Sequence, residues 1–113
     1  MQQSQNDESR KMFDAEVLEQ KARGLWLDIL TAQAPDLAPA VSNPGKRVPC
    51  PVHGGRDGFR LFKNAAESGG GICNTCGPFD NGISLLQWCN GLSFDEAVEV
   101  VAKQLKLEPS QKI

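Results

Sequence analysis

A chain of 113 residues, 23% of them charged and with a net charge of −2, is sized for one domain and excludes a protein that coats nucleic acid by bulk positive charge. The charge is uneven: residues 1–43 balance to −3, residues 44–88 to +2 and residues 89–113 to −1. No apolar run approaches a bilayer span, and the polar start Met1-Gln2-Gln3-Ser4-Gln5-Asn6 lacks the core and cleavage site of a secretory leader. We therefore expect a cytoplasmic protein with reduced cysteines and no membrane partner.

Residues 1–12 are polar and charged and read as a flexible tail. Residues 13–43 read as a helical segment, in which Phe13, Val17, Leu18, Leu25, Trp26, Ile29 and Leu30 recur at the three- and four-residue steps of one amphipathic helix. Gly24 weakens its middle and Pro35 ends it; residues 34–40 have room for one further helical turn, and Ser42-Asn43-Pro44-Gly45 is a loop.

Residues 44–106 form the second unit, a ribbon followed by helices. Residues 46–76 look like β structure, with Phe59-Arg60-Leu61-Phe62 as one strand and Gly69-Gly70-Gly71-Ile72 leading into another. Ile83, Leu85, Leu86 and Trp88 predict a short helix broken by Gly91. Ser93-Phe94-Asp95-Glu96 is a capping box that opens a last helix, whose inward face is Phe94, Ala97, Val98, Val101, Ala102 and Leu105 and which Pro109 closes. Residues 107–113 are the expected C-terminal tail.

The chemistry is concentrated in Cys50-Pro51-Val52-His53 and Cys73-Asn74-Thr75-Cys76, two pairs of soft ligands separated by nineteen residues. Each pair closes a tight turn around one side of a metal, and Gly54, Gly55 and Gly77 supply the sharp bends that follow. Three thiolates and one imidazole complete a tetrahedral Zn²⁺ site with no position open to water or substrate, so the ion is structural. His53 is the one histidine in the chain, so binding the metal removes it from any Ser-His-Asp or Cys-His catalytic set. Cys89 is the odd cysteine and reads as a small packed hydrophobe. Two disulfides are the competing reading of the four cysteines, disfavoured by the absence of a secretory signal.

Lys46, Arg47, Arg56, Arg60 and Lys63 make the metal region the one net-basic stretch and are candidate phosphate contacts. Strict alternation puts Arg60 on one strand face and Phe59 and Leu61 on the other. Phe59 and Phe62 are candidates for stacking on a base, with core packing as the competing role. Asp57, Glu67 and Asp80 are too few and too scattered for a two-metal centre.

From Pro49 onward, Cys50-Pro51-x-His53, the glycine-containing turn, Phe59-Arg60-Leu61-Phe62, Cys73-x-x-Cys76-Gly77, Asp80-x-Gly82-Ile83-Ser84-Leu85-Leu86 and Ser93-Phe94-x-Glu96-Ala97 resemble the zinc-binding domain of bacterial, phage and plasmid DNA primases. The upstream Arg23-Gly24-x-Trp26 and Ala34-Pro35 are closer to the primase-helicase branch, and the resemblance spans roughly residues 22–106. It implies an α+β fold, a small antiparallel zinc-ribbon sheet flanked by N-terminal and C-terminal helices. It also implies a module that binds single-stranded DNA template and helps select the primer start. The implied partners are a primase catalytic domain and a replicative helicase. Primer synthesis would reside in a separate TOPRIM-type domain, whose acidic residues have no counterpart in this sequence, and no catalytic residue is assigned here. Two other readings compete: a zinc-ribbon adaptor that docks a replication or conjugation protein, and a small metalloenzyme using Asp57 or Asp80 as base.

Overall fold

Gly24 settles the course of the N-terminal segment. Its φ of +86° lies in the left-handed region, and its N–H donates to the Ala66 carbonyl at 2.7 Å rather than continuing a helix. The computed structural model, which describes residues 15–107, therefore has two helices where the sequence predicts one: α1 (Ala15–Ala22) and α2 (Trp26–Gln33). Leu18, Ala22, Trp26, Ile29 and Leu30 still share the core, but Val17 in the first turn of α1 and Leu25 at the break are exposed. A 3-10 turn, Pro35–Leu37, and α3 (Ala38–Val41) follow, where the sequence left room for a short helical turn. Phe13, Pro109, the N-terminal tail and all of the C-terminal tail except Leu107 lie outside the described residues; Leu107 packs against the core.

The ribbon is a four-stranded antiparallel sheet in the order β1 (Val48–Cys50), β2 (Gly54–Leu61), β3 (Gly71–Cys73) and β4 (Gly77–Phe79). The α+β class expected from the sequence is the one observed. The third and fourth strands are three residues each, and a single helical turn, α4 (Ala65–Ser68), joins β2 to β3; β4 and α4 were not anticipated because three or four residues carry no measurable periodicity. Each edge strand has a proline at its centre, Pro49 in β1 and Pro78 in β4. Neither can donate to a further strand, which blunts both edges.

Alternation divides the sheet into two faces. Val48, Cys50, Phe59, Leu61 and Cys73 are buried on the inner face. There α5 (Gly82–Asn90) lays Trp88 against Phe59, with ring centroids 5.7 Å apart, and stacks it on Phe79 at 4.4 Å. Arg60, Ile72 and Pro78 pair across β2, β3 and β4 on the other face, where Arg60 and Ile72 are half-buried and Pro78 is exposed.

The last helix, α6 (Phe94–Leu105), starts as its sequence demands. The Glu96 amide donates to Ser93 Oγ at 3.1 Å, and the Ser93 amide donates to the Glu96 carboxylate at 2.9 Å. Ala97, Val98, Val101 and Ala102 are buried; Phe94, expected on that face, is 51% exposed because it is the first helical residue and precedes the packed turn. Lys106, at φ 60°, ends the helix. Gln33 ties the layers together: its side-chain Nε2 donates to Gln104 Oε1 and its backbone carbonyl accepts from Asn90 Nδ2, each at 2.8 Å. Among the described residues no helix is long and apolar enough to cross a membrane.

Candidate metal centre

The two ligand pairs are the turns of two hairpins. Cys50 ends β1 and His53 precedes β2; Cys73 ends β3 and Cys76 precedes β4. Since β1 and β3 run the same way in an antiparallel sheet, both turns project from the same end of it. Cys50 and Cys73 occupy inward, buried strand positions, whereas His53 and Cys76 lie on the exposed side of each turn. The positive φ values of Gly54 (+79°), Gly55 (+92°) and Gly77 (+109°) fold the chain back after each pair.

The four candidate ligand atoms all lie within 4.8 Å of one another, and His53 Nε2 is 3.3 Å from Cys73 Sγ. For Zn–S and Zn–N bonds of about 2.3 and 2.0 Å, the edges of a tetrahedron are about 3.5–3.8 Å, so the residues are already gathered to the size of one ion. All four cysteines are free thiols rather than disulfides. The amides of Val52 and His53 donate to Cys50 Sγ at 3.4 and 3.5 Å, as expected for a turn built to support a thiolate.

The electrostatics agree. Burial pushes the Cys73 thiol up, but the Cys76 amide, the His53 ring, the Thr75 amide and Cys50 together outweigh it and bring it down to about 6. Desolvation of its sulfur, then the hydrogen bond and charge of Cys73 and the charge of Cys50, push Cys76 up to about 11. Without a cation the cluster cannot hold all its negative charge; a divalent ion supplies what the three sulfurs need. Cys89 is half-buried, and burial, with the charges of Cys50 and Asp36, pushes it up to about 12, so it packs as an inert thiol.

The basic candidates are spread along the ribbon. Lys46 and Arg47, both exposed, lead into β1; Lys63, also exposed, follows β2, and its side chain lies over Gly45, whose N–H donates to the Leu61 carbonyl. Arg60 is half-buried on the face opposite Phe59. Arg56 stands at the metal end on an irregularity the sequence did not reveal: the step from Val48 to Cys50 in β1 is matched by the step from Phe59 to Gly54 in β2, which throws Arg56 and Asp57 outward as a bulge.

One assignment is corrected. Phe59 is 0% exposed and packed on Trp88, so it cannot stack on a base. Phe62 is half-buried and keeps some open surface. Asp57 and Asp80 are exposed and join no metal-sized cluster; among the described residues the Cys-His set is the one group of three or more such side chains gathered to that size.

Residues 45–83 match the family model for the zinc-binding domain of primase-helicase. No curated protein and no solved structure matches the chain. The matched segment begins at the loop before β1 and ends in the first turn of α5, so it contains the whole sheet and all four ligands. Residues 45–83, about a third of the chain, are thus similar to the zinc-binding domain of primase-helicase, and Cys50, His53, Cys73 and Cys76 are gathered where they would hold one structural zinc.

Proposed function

We propose that the chain is a single-stranded DNA template-binding module of a primase-type replication protein, helping primer-start recognition without itself catalysing synthesis. The family match carries the reading. The basic residues along the ribbon support it: Lys46, Arg47 and Lys63 at one end, Arg60 in the middle and Arg56 at the metal end make a track of roughly 20 Å at about 3.3 Å per strand residue. A track of that length matches the phosphates of a few nucleotides, and Phe62 offers a ring for one base. Zinc fixes the hairpins that carry the track and takes no part in chemistry. The partners on this reading are the template strand, a primase catalytic domain and a replicative helicase.

The test is anisotropy titration of labelled single strands at several salt concentrations. Arg56→Ala/Arg60→Ala is expected to weaken binding and lower the slope of log affinity against log salt by about 1.4, at about 0.7 per phosphate contact. Unchanged affinity and slope would remove the track from the interface.

A groove of about 420 Å³ beside α1, lined in part by Glu16, Glu19, Glu67 and Asp80 with Arg23, favours a second reading, an adaptor for a basic protein segment. Co-purification of a partner by a chain that binds no single strand at low salt would select it.

A further inference from the structure

Three side chains at the metal end have no part in holding the fold. Val52 sits within the first knuckle, and Asn74 and Thr75 within the second; all three are exposed, Val52 by 50%. Their backbones, in contrast, are committed. The Val52 amide donates to Cys50 Sγ, the Asn74 amide to the Gly58 carbonyl at 2.8 Å, and the Thr75 amide to the Cys73 sulfur. The Asn74 carboxamide and the Thr75 hydroxyl stand on exposed residues. The sheet topology puts both knuckles at one end, and one ion ties them together.

We propose that these knuckle tips are the base-reading surface of the module, with Asn74 and Thr75 hydrogen-bonding the edge of an unstacked base and Val52 packing against it. The assignment rests on the single-strand reading above and divides the labour within it. Charged groups on the sheet contact phosphates, which carry no sequence information, whereas specificity needs uncharged donors and acceptors at fixed positions. A carboxamide presents a donor and an acceptor side by side, the pattern that matches base edges, and a hydroxyl serves as either. Single-stranded bases expose those edges. The tips carry no charge of their own, and Arg56 on the adjoining bulge is placed to hold the neighbouring phosphate. Because the metal and the amide bonds fix the turns before any strand arrives, the readers are ordered in advance.

The experiment titrates the zinc-loaded full chain against labelled strands that carry every central trinucleotide in a constant oligothymidine frame. Wild type is expected to separate its best from its worst trinucleotide, and Asn74→Ala/Thr75→Ala to narrow that spread at least about fivefold, the lower bound for one lost polar base contact. The salt slope should stay at the wild-type value, and Thr75→Val alone should narrow the spread less. Arg56→Ala should do the converse, lowering the slope and keeping the spread. Zinc stoichiometry and circular dichroism check that each variant is folded. A wild-type chain that binds all trinucleotides equally, or a folded double variant that keeps the full spread, overturns the inference and leaves the template-binding reading standing. A wild-type chain that binds no strand overturns both.

Discussion

The six-membered ring of Trp26 occupies the space in which a side chain on Gly82 would begin. A Cβ built on Gly82 would overlap that ring, and one on Gly69 would lie 2.7 Å from the indole. Trp26 opens α2, Gly69 caps α4 in the left-handed conformation and Gly82 opens α5. One buried indole therefore locks the N-terminal helices to both segments that flank the second zinc hairpin. Gly82→Ala is expected to destabilise the zinc-loaded protein by about 1–3 kcal/mol through overpacking. Urea denaturation measures it, and an unchanged midpoint would show that α2 moves aside freely.

Zinc removal should be far more damaging. A strong chelator, or Cys73→Ser, is expected to abolish the cooperative melt of the ribbon, since structural zinc supplies on the order of 10 kcal/mol to small domains that need it. A native circular dichroism spectrum and melting profile in fully zinc-free protein would contradict a structural ion.

Acid should release the metal, because protons compete for the same sulfurs and imidazole. The sign follows from Cys73, whose folded-state value of about 6 lies below the ordinary 9.0. A depressed value gives a contribution that is complete above the unfolded value and is lost as pH falls through the folded one. Zinc retention, followed with a colorimetric chelator, is therefore expected to hold at neutral and alkaline pH and to decline on acidification. Release that instead grew on going from neutral to alkaline pH would reverse that sign.

Phe59 and Phe62 should separate cleanly. Phe59→Ala removes a fully buried ring tilted against Trp88 and is expected to cost about 3–5 kcal/mol. Phe62→Ala, at a half-buried position, should cost less stability and, on the template-binding reading, weaken single-strand affinity by about 1–3 kcal/mol. Comparable unfolding free energies for the two variants would contradict the burial difference.

At the far end of the chain, Ser93→Ala breaks the reciprocal bonds with Glu96 and is expected to cost about 1 kcal/mol. Zinc stoichiometry should not change, since α6 contributes no ligand; a loss of metal would imply that the helix supports the site directly.

The residues alone made legible the candidate ligand pairs, the closed four-ligand set that implies a structural ion, the strand carrying Phe59 and Arg60, and the start of α6. Each rests on a short-range rule: two-residue ligand spacing, alternation, a capping box. Three features needed the tertiary structure. Gly24 was legible as a weak point, but whether it bends or breaks a helix depends on whether its amide finds another acceptor, and that acceptor, the Ala66 carbonyl, is distant in sequence. The outward throw of Arg56 comes from unequal steps in two paired strands, which neither strand encodes alone. The burial of Phe59 was decided by Trp88 arriving from α5, because a ring at an alternating strand position is equally suited to a core or to a base until something covers it.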